Sequence, residues 1–240
     1  MPGSDVHWRA DGVYVSTLSS KTSLLDETKV FLRLYAQSGD ASAVCRALIA
    51  GELPHSSRRT RETIVQVLRV RLVNWQPPSW VLHDLWSFAQ DTQSDAFVVA
   101  LLLHIARQDL LAYEFIQQVV VPRWYDGSLQ LIRSDVQSFL DQSLAEHPEV
   151  GRWSYSTRER LSQHLLATLR DCTLLKGKVE KQIVLPVVPM NVAHHLIRLL
   201  QAEGVPQEEI CDHSDWRLWL WEPAQVRTAL RAYELQEQRG

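Results

Sequence analysis

Ser94–Arg107 constrains this chain more than any other stretch, because its apolar residues fall on nearly every side of a helical projection. A helix without a polar face has to be surrounded by other elements. Its strongly apolar part, Ala96–Ala106, contains His104 and runs for eleven residues, well short of the roughly 18 that a bilayer crossing needs. The stretch therefore predicts the buried centre of a helical core, and no membrane is expected as a partner.

On both sides the chain keeps the spacing of three and four residues that marks amphipathic helices. Ser23 stands where it can cap a helix running to about Ala36, which Gly39 stops, and a short helix over 41–50 follows. Further helices are predicted over 57–73, 80–90, 110–121 with Pro122 closing the last, 134–145, 190–202 and 223–236. Residues 1–20 are weakly patterned and predict a frayed start anchored by Tyr14, Val15 and Leu18. On 134–145 the inner face is Val136, Phe139, Leu140 and Leu144. Two stretches break the helical period. Leu174–Pro186 places β-branched residues around Lys176-Gly177-Lys178 and predicts a small hairpin. Trp216–Trp221 alternates like a short strand, in which Trp216 would face one side and Trp219 and Trp221 the other; the tryptophans are read as core, with an exposed docking patch at Trp219 as the alternative. The fold class expected is mainly α: a compact helical globule with two helix-turn-helix-like units and a small β-hairpin wing. With 240 residues one large core is within reach. The expected order is a first helix-turn-helix unit over 1–75, a helical core over 76–133, a second unit with its wing over 134–190, and a helical extension over 191–240.

Several chemistries are missing. Cys45, Cys172 and Cys211 are widely spaced and form no Cys-x-x-Cys pair, so neither a disulfide framework nor a zinc ribbon is indicated, and a reducing cytoplasm fits. A secretory leader is not evident. There is no Gly-rich phosphate loop, nucleophile elbow or His-Glu-x-x-His. His194 and His195 would point about 100° apart on a helix, and Asp26-Glu27 suits the first turn of one. Neither an enzyme nor a cofactor is expected.

Charge is distributed unevenly. Ser57-Arg-Arg-Thr-Arg-Glu62 and Ser154-Tyr-Ser-Thr-Arg-Glu159 share the pattern Ser-x-x-Thr-Arg-Glu, and each opens an amphipathic run. From Arg58 to Arg71 five arginines face one acid, and from Arg152 to Lys181 seven cations face three acids, while the whole chain carries −3. Such asymmetry suits a polyanion, since phosphate neutralisation depends on the local patch and not on total charge. Candidate DNA contacts in the first window are Ser57, Arg58, Arg59, Thr60, Arg61 and Arg69. Arg71 is set aside because the helical period places it beside Ile64. In the second window they are Arg152, Ser154, Ser156, Thr157, Arg158, Arg160, Gln163 and Arg170, with Ser156 and Glu159 at capping-box spacing. Lys176, Lys178 and Lys181 would supply the wing. Rival readings are a helical adaptor whose basic patches meet acidic protein surfaces, and an RNA-binding helical protein.

Several segments together resemble the BrxA family of bacteriophage exclusion (BREX) systems. They are Val15-Ser-Thr-Leu18, Ser23-Leu-Leu-Asp-Glu27, Ser57-Arg-Arg-Thr-Arg61, Pro148-Glu-Val-Gly-Arg-Trp-Ser-Tyr-Ser-Thr-Arg158, Leu174-Leu175 and Pro186-Val-Val-Pro189. Their order and spacing match over about residues 13 to 200, and the segment ending at Arg158 is the most telling. The resemblance implies an all-helical DNA-binding accessory protein with helix-turn-helix units, acting beside methyltransferase and ATPase-type partners in defence against phage. The part from about Gln201 onward lies outside the pattern.

Overall fold

The computed structural model describes residues 9, 10, 12–55 and 57–238, so the fraying expected at the start of the chain lies outside the described residues. A 3-10 turn at Thr17–Ser19 leads to α1 (Leu25–Ser38), α2 (Ala41–Ala47), a π turn at Leu48–Glu52 and α3 (Arg58–Leu72). Next come α4 (Ser79–Gln90), α5 (Ala96–Arg107), α6 (Leu110–Phe115) and, through a second π turn, α7 (Val121–Asp126). Strand β1 (Gln130–Leu131) precedes α8 (Arg133–Gln142), and two 3-10 segments connect α8 to α9 (Tyr155–Asp171). After β2 (Leu175–Lys176) and β3 (Lys181–Ile183) the chain ends with α10 (Met190–Ala202), α11 (Gln207–Ile210), a 3-10 segment at Ser214–Trp219 and α12 (Pro223–Glu237).

Every residue of α5 except Val98 is buried. Helices α3, α4, α6 and α10 and the Ser214–Trp219 segment pack around it, as its all-round apolar sequence requires. Two polar side chains on α5 are satisfied by later parts of the chain. The Nε2 atoms of His104 and His195 lie 3.0 Å apart, and Nδ1 of His195 is 2.9 Å from Asp84. Arg107 donates to the fully buried Asp215 and to Glu203, which Arg9 also meets. Burial pushes the Asp215 carboxyl up, but the charges of Arg107 and Arg9 outweigh this and hold it below the usual carboxylate range. No single described helix is long and apolar enough to cross a membrane; α5 together with Leu110–Asp126 would pass only as a pair bent by 109°.

Helix starts follow side-chain capping where an acceptor is available. Asp40, Ser57, Asp109 and Ser154 accept from amides in the first turns of α2, α3, α6 and α9. Two expected caps are displaced. Before α1 it is Leu24, in a left-handed conformation with φ 56, that turns the chain, while the Ser23 hydroxyl donates to Asp171 2.7 Å away. Helix α9 begins earlier than the Ser156–Glu159 spacing suggested: Ser154 is its cap, and Glu159 instead faces Arg133 at 3.7 Å.

Other differences also have local causes. Pro122 does not close the helix over 110–121; the π turn at Ile116–Val120 shifts the backbone bonding and the helix continues to Asp126. Tyr14 and Leu18 are buried anchors, but Val15 is 39% exposed. Leu144 is 37% exposed because α8 ends at Gln142 and a 3-10 turn swings it outward. The strand expected at Trp216–Trp221 is a 3-10 segment, followed by Leu220 in a left-handed conformation. The turn folds Trp221 back onto Trp216, the two rings stacking at 5.6 Å, and all three tryptophans are buried. Arg71 is buried and donates to the carbonyls of Ser23 and Thr22, both at 2.9 Å.

The hairpin forms as expected, with a third strand that the spacing of residues did not suggest. β3 pairs antiparallel with both β2 and β1, giving the order β1-β3-β2. The turn needs Gly177: its φ is 95, and a Cβ there would lie 2.0 Å from the Glu180 carbonyl oxygen.

Candidate nucleic-acid interface

Helix α9 is amphipathic. Leu161, Leu165, Leu166 and Leu169 face the core, and Ser156, Arg160 and Gln163 are exposed along the other side, with Ala167 and Arg170 half-buried beyond them. A cleft opens on each side of this stripe. One, of about 670 Å³, lies between α9, the start of α8 and the β2–β3 turn, and is lined by Arg133, Ser134, Gln163, Lys178 and Lys181 among others. The second, of about 360 Å³, is lined by Lys21, Arg59, Thr60, Thr63, Arg160 and His164 together with Ser19 and Ser20. The two basic windows of the sequence thus meet across α9.

Interaction partners sort the candidate residues. In the first window Arg58 pairs with Glu62 at 2.9 Å. Arg61 donates to the carbonyls of Ile49 at 2.8 Å and His55 at 2.5 Å, so it locks the turn before α3. Ser57 caps α3 by accepting from Thr60 N. In the second window Arg158 pairs with Asp141, and Arg170 with Asp171 at 2.8 Å. The hydroxyls of Ser154, Ser156 and Thr157 form a small cluster at 2.9 to 3.0 Å. Lys181 donates to the Lys178 carbonyl. By contrast Arg59, Arg69, Arg152, Arg160, Lys176 and Lys178 have no ion-pair partner among the described residues. Positive charge converges beside α9: burial lowers the Lys181 pKa, and the nearby Arg170 and Arg133 lower it further.

Lys21, Thr63, Arg133 and His164 line the clefts but escaped sequence reasoning. Lys21 and Arg133 fall outside both charge windows, and His164 shows no chemistry until its Nδ1 is seen 2.8 Å from the Leu18 carbonyl. Among the described residues no three His, Cys, Asp or Glu side chains are grouped to hold a metal ion.

Comparison with known proteins bears on fold and family. The structure is similar to the crystal structure of an uncharacterized protein from Magnetospirillum magneticum, with a TM-score of 0.64 at 16% identity over 80% of this chain and 96% of that one. No curated protein matches. The BrxA family model matches residues 13–199, well over half of the chain. The chain therefore belongs to the BrxA family, a family of BREX phage-defence systems.

Proposed function

We propose that this protein is a non-enzymatic duplex-DNA-binding accessory component of a BREX-type phage-defence system. The observation that carries the reading is the exposed face of α9, bordered on one side by Lys178 and on the other by Lys21 and Arg59, cations without an ion-pair partner among the described residues. The order α7, β1, α8, α9, β2, β3 with β3 central supports it, because it matches a helix-turn-helix followed by a wing, whose second helix would enter the major groove. On α9, Arg160 and Gln163 point outward, and such side chains pair with guanine and adenine edges respectively. Lys176 and Lys178 on the hairpin and Arg133 on α8 would meet phosphates beside the groove and release counterions. In this arrangement α3 flanks the duplex through Arg59, instead of entering a groove of its own, because Arg61 is committed to the turn below it. Other BREX subunits, methyltransferase and ATPase-type proteins among them, are the expected protein partners.

Fluorescence anisotropy with duplex DNA, duplex RNA and single-stranded DNA, each at two salt concentrations, tests the proposal. Tightest binding to duplex DNA, weakening as salt rises, is the expected result. Preference for duplex RNA would favour the RNA-binding reading. No affinity for any of the three would leave the adaptor reading.

A further inference from the structure

We propose that the cleft between α3 and α9 is a seat for a phosphoryl group. Three cations from three separate segments line it: Lys21 from the loop before α1, Arg59 from the first turn of α3, and Arg160 from α9. No acidic residue lines the cleft, and none of these three cations has an ion-pair partner among the described residues. Most other arginines of the two windows are held by a carboxylate or by backbone carbonyls, so cations without such partners mark the cleft out. Like charges brought together without a counter-charge repel one another, and an anion between them removes that cost.

The remaining lining narrows the ligand. His164 Nδ1 faces a carbonyl oxygen and must carry the proton, which leaves Nε2 as its other polar atom. The Thr63 hydroxyl donates to the Arg59 carbonyl at 3.0 Å, which fixes it while its oxygen can still accept. A planar carboxylate matches one guanidinium through two parallel bonds. A tetrahedral phosphoryl group offers oxygens in several directions and suits two guanidinium groups and an ammonium arriving from different sides. The volume of about 360 Å³ leaves room for that group and several waters, each taking about 30 Å³.

The inference rests on the DNA reading only for the source of the phosphoryl group, a backbone phosphate that would tie the N-terminal helices to the unit around α9. The seat itself can be tested without DNA. Nitrogen-15 amide spectra of the full chain are recorded during titration with inorganic phosphate, with chloride at matched ionic strength as control. Phosphate is expected to shift the signals of Thr60, Thr63 and Arg160 saturably, and chloride is not. Arg59→Ala/Arg160→Ala should weaken phosphate binding by at least about tenfold, as loss of charge-assisted hydrogen bonds implies. Lys21→Ala, a milder change outside any helix, should weaken it in the same direction. Scattered shifts, equal shifts with chloride, or unchanged phosphate affinity in the double variant with its fold intact would overturn the proposal.

Two further arms identify the source. Displacement of phosphate by a 20-base-pair duplex would assign the seat to the DNA backbone, and displacement by adenosine monophosphate alone would assign it to a free phosphate ester. If the protein binds no duplex at all, the DNA reading falls while the phosphate titration still decides the seat.

Discussion

Arg59 and Arg61 stand two residues apart on α3, and among the described residues only the second has side-chain hydrogen-bond partners. Replacing Arg61 with Ala orphans the carbonyls of Ile49 and His55 and should cost on the order of 1 to 3 kcal/mol in urea unfolding. Arg59→Ala should stay within about 0.5 kcal/mol, as an exposed substitution normally does, and weaken DNA binding instead. Equal stability of the two variants would contradict these assignments. The histidines on α5 and α10 give a second test. Asp84 accepts from His195 Nδ1, so His195 Nε2 accepts from His104, and the buried His104 Nδ1 lone pair has no partner among the described residues. Burial lowers the pKa of both rings; at His104 the charges of His195 and Arg107 add to the effect, and at His195 Asp84 opposes it. The unfolded chain takes up these protons near pH 6.5 and the folded chain resists. Their contribution is therefore complete above that pH and declines as the pH falls below it. Asp109, raised by burial to about 6, has the opposite sign, because its folded form binds a proton more readily than the unfolded chain. The comparison that isolates the ring is His104→Gln, which cannot titrate and can still donate to His195. Its urea midpoint should fall less than that of the wild type between pH 7 and pH 5, and identical falls would show that His104 plays no part in the acid sensitivity.

Elements were legible in the sequence where the apolar spacing was strong. The all-round pattern of α5 and the stripes of α9 and α10 identify helices that the structure contains. Strand β1 has two residues, too few to express a period of two, and the fold recruits it only through pairing with β3. The Trp216–Trp221 reading failed for a different reason. Alternation along a strand assumes extended backbone, whereas in a 3-10 turn residues three apart share a side, and Leu220 then reverses the chain. Trp216 and Trp219 donate to the carbonyls of Ile210 at 2.7 Å and Val99 at 3.1 Å. Truncating any of the three tryptophans to Ala should thus cost about 3 to 5 kcal/mol, with no milder pair, and a stability close to wild type for Trp219→Ala would contradict the burial. For the hairpin, Lys176→Ala/Lys178→Ala should leave the melting temperature nearly unchanged, as surface lysines contribute little to folding, and should lower DNA affinity. Full retention of binding would reduce the hairpin to solvated surface.

Across the whole molecule, the basic windows were visible as charge, but their meeting on one face was not. Windows almost one hundred residues apart join only because α3 and α9 both reach the loop around Lys21. Nor could the sequence show that Arg58 and Arg158 are already engaged, since Glu62 becomes a partner through helical spacing and Asp141 through packing. The C-terminal part beyond the family match is integral to the core: Asp215 meets Arg107 and Arg9, and Trp219 reaches the backbone of α5. A chain of net charge −3 can still hold a polyanion if that single face does the work. The most direct test is the salt dependence of affinity for one duplex, measured for the wild type and for Arg160→Glu/Lys178→Glu, both exposed and each lining one of the two clefts beside α9. DNA binding by this face predicts weaker affinity of the variant at every salt concentration and a slope of log affinity against log salt shallower by about two, near 0.9 for each phosphate that the protein no longer neutralises. An unchanged affinity and slope in the folded variant would contradict it.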